Sequence, residues 1–198
     1  MPAGPKAPNV VQAGAPGQPS RVLADGKVPA FPAPVPTMAD IMFMQGMIEH
    51  HAQALAMCAL INARTRNPQL QSLGKKIQIS QSEEIGLMDT WLRNNHKAQP
   101  VTAADGRVSL NGTTMAPMAG MLSPAQMRAL AAAQGAAFDH LFLTGMIQHH
   151  RGALSMVFQL RHSPGAVAGA GMHLLATLIY NDQTTEIHRM QGMLGIQP

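Results

Sequence analysis

The chain has 198 residues, 46% hydrophobic, 12% charged and 4% aromatic, with a formal charge of +4. That composition allows a sizeable core, built from Ala, Leu, Ile, Val and Met rather than from rings. The basic residues are scattered, Lys75–Lys76 and Arg64/Arg66 being the nearest to clusters, and without a basic stripe interleaved with aromatics nucleic-acid binding is not expected.

Residues 1–36 carry Pro2, Pro5, Pro8, Pro16, Pro19, Pro29, Pro32, Pro34 and Pro36. Proline fixes φ and lacks the backbone donor, so this stretch is read as an extended arm through which no helix or central strand runs. Its opening, Met1-Pro2-Ala3-Gly4, has neither the basic start nor the apolar stretch of an export signal, and is read as a mature region whose signal has been removed.

A first helix is predicted from Thr37/Met38 to about Arg66, with Thr37 as cap and Asp40 in the first turn, where a carboxylate suits the helix dipole. Asn67-Pro68 ends it and opens a second helix to about Asn94, completing a hairpin over 37–95. Residues 96–122 read as a linker holding a short β-hairpin or an irregular loop, with the string Met115, Met118, Met121. Ser123-Pro124 with Gln126 starts a short helix to about Gln134. Helices over about 136–161 and 166–194 follow, turning at Ser163-Pro164-Gly165 and giving a second hairpin within 123–198. No apolar run approaches the ~20 residues that span a bilayer.

The two hairpins repeat one another. Asp40–Met57 aligns without gaps to Asp139–Met156 at an offset of 99, with ten of eighteen positions identical. Gln81, Glu84, Ile85 and Met88 match Gln183, Glu186, Ile187 and Met190 at an offset of 102. Two such hairpins make an all-α four-helix bundle.

On the first helix Phe43, Met47, His50, Ala54, Met57 and Ile61 form one stripe, repeated as Phe142, Met146, His149, Ala153, Met156 and Leu160. Each half thus sets one histidine on the buried face, with His51 or His150 bordering the same groove and Met47 or Met146 one turn before both. Buried imidazoles are costly without partners, which a metal would supply. Sixteen methionines and nine histidines against ten acids favour soft and borderline ligands over hard oxygen. Gly46 and Gly145, costly inside helices, suggest close approach of a partner helix. Glu84 and Glu186 read as ligands or as acceptors for an imidazole N–H. Asp40 and Asp139 read as dipole partners or parts of a site. The single cysteine, Cys58, forms no internal disulfide and is matched by Val157, which favours packing over ligation.

The paired Met-Ile-x-His-His strings, each followed by a Gln-x-x-Glu-Ile-x-x-Met helix (Gln-x-x-Glu-Ile-x-x-Met with Gln81, Glu84, Ile85, Met88 and again with Gln183, Glu186, Ile187, Met190), resemble the bacterial family called domain of unknown function 305, here in two tandem copies. The resemblance implies a ferritin-like bundle, usually exported, with copper-binding members in the periplasm. It carries over Asp40, Met47, His50, His51, Glu84 and Met88, and in the second half Asp139, Met146, His149, His150, Glu186 and Met190, as the metal-site set. Glu49 and Gln148 stand where the family often has proline.

The expectation is therefore a periplasmic or secreted metal-binding protein of the cell envelope. It would hold copper, Cu(I) before any other transition metal and Ag(I) likewise, for buffering or resistance. The metal ion is the expected partner, with a homo-oligomer or a copper-delivery protein beside it, and no catalytic residue is assigned. A ferritin-like oxidase and a metal-free structural bundle are the alternatives. A di-iron oxidase site wants several glutamates and a Glu-x-x-His step, which this chain lacks.

Overall fold

The computed structural model describes residues 10–14, 16–23, 34–102, 108–114 and 116–196. The chain divides into two units, Met1–Pro34 and Val35–Pro198.

The first unit differs from the expected extended arm. Strands β1 (Val10–Gln12) and β2 (Arg21–Leu23) pair antiparallel, with Val10 opposite Leu23. Both strands are free of proline, and Pro16-Gly17 lies in their connection with Gly17 at φ 82°. A two-stranded ladder has only edge strands, so the objection to a central strand still holds. Residues 1–9, 15 and 24–33 of the arm lie outside the described residues.

In the second unit α1 spans Met38–Ala59. The N–H of Asp40 donates to Thr37 Oγ1 at 3.1 Å, and the Thr37 N–H donates back to Asp40 Oδ2 at 2.8 Å, closing a capping box. The helix stops short of Arg66: Leu60 turns the chain and a one-turn α2 (Ile61–Arg64) follows. The break lays Ile61 onto Gly74, where an added Cβ would meet Ile61 Cδ1 at 2.0 Å. Helix α3 runs Pro68–Asn94, capped by Asn67, whose Oδ1 accepts from the N–H of Gln69 and of Leu70.

The linker contains a three-stranded antiparallel sheet, β3 (Val101–Thr102), β4 (Val108–Leu110) and β5 (Thr113–Thr114), in that order. Asn111 and Gly112, both at positive φ, turn β4 into β5. Met115 lies outside the described residues. Helix α4 (Pro124–Ala132) has the Ser123/Gln126 capping box, and α5 covers Gly135–Arg161. Helix α6 (Ala170–Met193) starts four residues later than expected. Val167 adopts φ 62° there, and its N–H donates to Asp40 Oδ1 at 2.9 Å.

Helix α1 packs on α3 and α5, and α6 packs on α5 and α3, so four long helices form the bundle. Its apolar core is in two parts. One holds Ala54, Met57, Ile77, Phe142, Met146 and Met190, and the other holds Phe43, Met47, Met88, Ala153, Ile179 and Met172. Along every long helix a polar pair separates them: His50 and His51 on α1, Gln81 and Glu84 on α3, His149 and His150 on α5, Gln183 and Glu186 on α6.

Candidate metal centre

All four histidines of this polar layer are fully buried. The His51 Nε2–H donates to Glu84 Oε2 at 2.7 Å, and the His150 Nε2–H donates to Glu186 Oε2 at 2.6 Å. A carboxylate accepts only, so each of these rings turns an Nε2–H to its glutamate and leaves Nδ1 on its far side without a hydrogen-bond partner. Glu84 and Glu186 thus act as the imidazole acceptors that the sequence allowed. Their positions follow from helix pairing: α3 and α6 run back along α1 and α5, which brings one inward carboxylate level with each His pair.

The His50 and His149 rings lie 3.7 Å apart, centroid to centroid, where α1 meets α5. The His50 Nε2–H donates to the Ala119 carbonyl at 3.0 Å. Neither nitrogen of His149 has a hydrogen-bond partner, nor does Nδ1 of His50, His51 or His150. Burial, then the neighbouring His51, pushes the His50 imidazole down to about 3. Burial and His50 hold His149 well below the ordinary histidine range. Both rings are therefore neutral near pH 7, with lone pairs to offer.

The methionines flank the layer from both parts of the core. Met47 and Met88 belong to one apolar part and Met146 and Met190 to the other, all fully buried. Gln81 and Gln183 are also buried within the layer, with both amide atoms unpartnered. Such groups are costly unless something accepts from them or donates to them.

These donors suit a soft ion. Among the described residues no three His, Cys, Asp or Glu side chains are grouped to hold a metal. The donors that the layer and its flanks do offer are imidazole nitrogen and, in the apolar parts on either side, buried thioethers.

Asp40 and Asp139 are not brought to the histidines. Ten residues of helix, about 15 Å, separate Asp40 from His50. Asp40 instead ties the start of α1 to Val167 in the α5–α6 turn, and Asp139 Oδ2 accepts from Asn67 Nδ2 at 2.8 Å in the turn before α3. Each first helix is thus pinned to the opposite hairpin's turn. Cys58 packs in the apolar core, where burial, then Glu186, raises its thiol to about 12. Glu49 is buried with Oε2 unpartnered, and burial lifts its carboxyl to about 7.

One participant was missed in the sequence: the strap formed by residues 116–122. Gln53 donates to the Leu122 carbonyl at 3.0 Å and accepts from the Leu122 N–H at 2.7 Å. Gln148 donates to the Gly120 carbonyl at 3.2 Å. Between these, Ala119 reaches His50. The repeat places Gly152 where the first half has Gln53, and a Cβ on Gly152 would stand 2.0 Å from the Ala119 carbonyl oxygen. That break in the repeat, with Gly120 in the linker, was the available signal. Gly46 and Gly145 also differ from expectation. Side chains rather than a helix backbone approach them: Met118 and Met156 at Gly46, Leu122 and Met57 at Gly145.

Residues 40–194 match the family described as "Domain of unknown function (DUF305)", and the chain belongs to it. A crystal structure of a DUF305 fragment from Deinococcus radiodurans is 30% identical, with a TM-score of 0.67 over 83% of this chain and 99% of that one. A presumed secreted DUF305 protein from Streptomyces coelicolor is 25% identical, with a TM-score of 0.65 over 80% and 95%. CopM in its Cu(I)-bound form is 26% identical, with a TM-score of 0.61 over 80% and 97%. Among curated proteins, the uncharacterized protein L153 of Acanthamoeba polyphaga mimivirus is 40% identical over 53 residues, 27% of this chain. The match spans about a third (35%) of the viral protein's length. The fold is thus the helical bundle of this family, and no helix among the described residues is long and apolar enough to cross a membrane.

Proposed function

We propose that this protein binds Cu(I), or Ag(I) as its redox-inert counterpart, in the polar layer, and serves copper buffering or resistance in the cell envelope as a periplasmic or secreted protein. The observation that carries the reading is the pair of buried His–Glu contacts, His51–Glu84 and His150–Glu186, each leaving an unpartnered Nδ1. A carboxylate that holds the far nitrogen of an imidazole fixes its tautomer and raises its basicity, the usual support of a ligating histidine.

In this reading His50, His51, His149 and His150 supply nitrogen, and Met47, Met88, Met146 and Met190 supply sulfur. Glu84 and Glu186 orient the rings, and Asp40 and Asp139 anchor the helix ends that position them. The two hairpins are read as tandem copies of one unit, each bringing a half-set of donors. Likeness to CopM, whose structures include Cu(I)-bound, Ag-bound and Cu(II)-bound forms, supports copper as the metal, and the presumed secreted relative supports the compartment.

The test is a competition titration against a Cu(I) chelator, on wild type and on His50→Ala/His149→Ala, with circular dichroism as the folding control. The double variant is expected to lose at least about tenfold in affinity or to lose bound copper outright. Equal affinity at equal stoichiometry in a folded variant would remove the histidine layer as the site.

A further inference from the structure

A separate cleft opens beside the strap, outside the polar layer. It encloses about 300 Å³, and its lining includes Met42, Phe43, Met118, Met156, Gln159 and Ser163. Three thioethers reach it from three segments: Met42 from α1, Met118 from the strap and Met156 from α5. Gly46 permits the convergence. A Cβ there would stand 3.0 Å from Met118 Sδ and 3.5 Å from Met156 Cε, so two methionine heads meet over bare α1 backbone. Met42 lies one turn earlier on the same side of α1 and is 65% exposed, at the solvent mouth. Among the described residues no acidic, basic or histidine side chain lines the cleft, so sulfur is its distinctive donor.

The other half of the bundle shows what packing alone requires. The repeat sets Leu141 at the position of Met42. At Gly145 the approaching atoms are Leu122 Cδ2 at 3.1 Å and Met57 Cε at 3.5 Å. Leucine therefore fills the related space on that side, while methionine occupies both variable positions on this one. Met121 does not join the set, because its Sδ accepts the Met118 N–H at 3.1 Å.

We propose that Met42, Met118 and Met156 form a second site, open to solvent, that binds a soft monovalent ion, Cu(I) or Ag(I), through thioethers alone. Polarizable thioether sulfur selects such ions over hard or borderline ones. The proposal rests on reading the chain as a soft-metal binder, yet it uses none of the polar layer's residues.

The experiment is an Ag(I) titration of the full chain followed by NMR of ¹³C-methyl-labelled methionine, with bound silver counted. It is run on wild type, on Met42→Leu/Met118→Leu/Met156→Leu and on His50→Ala/His149→Ala. The three methyl signals, assigned by single Met→Leu variants, should shift together in wild type and in the histidine variant. The triple leucine variant, folded by circular dichroism, should bind one silver fewer. Signals that stay in place at saturation, or unchanged stoichiometry in the triple variant, would overturn the cleft and leave the polar layer standing. Loss in the triple variant with none in the histidine variant would uphold the cleft and overturn the polar layer.

Discussion

The imidazole of His50 lies 3.7 Å from that of His149, centroid to centroid, with 39° between their planes. Two buried rings this close cannot both take a proton without strong repulsion, and the protein holds both neutral. The contact joins the two hairpins at the middle of the bundle, so protonation there acts on the whole fold.

The metal-free protein should therefore lose stability as the pH falls below about 6.5. His50 has an ordinary value of 6.5 and a folded value of about 3. Across that window the unfolded chain binds protons that the folded chain refuses, so stability present above 6.5 drains away towards 3. Urea unfolding from pH 7.5 to 4 should show this slope. His149→Leu should remove up to about one proton of it, about 1.4 kcal/mol per pH unit.

Glu49 has the opposite sign. Its folded value of about 7 exceeds its ordinary 4.5. The folded chain keeps a proton that the unfolded chain releases, so the stability tied to that proton is lost as pH rises from 4.5 through 7. Glu49→Gln should raise the melting temperature by a few degrees at pH 8 and by much less at pH 4. Equal shifts at both values would count against a buried protonated carboxyl.

Glu84→Ala and Glu186→Ala should each cost about 1–3 kcal/mol in the metal-free protein, because the freed imidazole N–H stays buried without an acceptor. If the histidines ligate copper, each variant should also weaken Cu(I) about 10–100-fold. Chemical denaturation and chelator competition measure the two effects separately.

Glycine substitutions should separate strap from helix. Alanine at Gly152 would drive its Cβ into the Ala119 carbonyl at 2.0 Å, a backbone atom that cannot yield without lifting the strap. A loss of about 1–3 kcal/mol is expected. At Gly46 the nearest atom is the flexible Met118 Sδ, 3.0 Å away. There the helix propensity gained, about 1 kcal/mol, should offset most of the crowding. Melting temperatures of the two variants should differ clearly, Gly152→Ala being the lower.

The helices were legible because their signals are local. Thr37 with Asp40, Asn67 with Pro68, and Ser123 with Gln126 each mark a start within four residues, and the structure uses all three as caps. The burial of His50 and His149 followed from the spacing of their stripe. What stayed hidden depends on distant partners. No periodicity shows that Asp40 will meet Val167, 127 residues on. The break at Leu60 needs Gly74 across the hairpin, and the strap's docking needs Gly120 to meet Gly152. The methionines of Met118–Met121 were visible as a string, but only the fold separates Met118, in the cleft, from Met121, turned back on the strap.

The crossed ties at Asp40–Val167 and Asn67–Asp139 also bear on how the chain is made. They join residues 127 and 72 apart, so neither closes until part of the second hairpin has been synthesised. A nascent first hairpin, complete at Asn94, has no partner for its inner face and an open tie at each end. Contacts of such long span form late and leave apolar surface uncovered meanwhile. The fold is therefore complete only once α5 and α6 have docked on the first hairpin, and the contact of His50 with His149 exists only from then on.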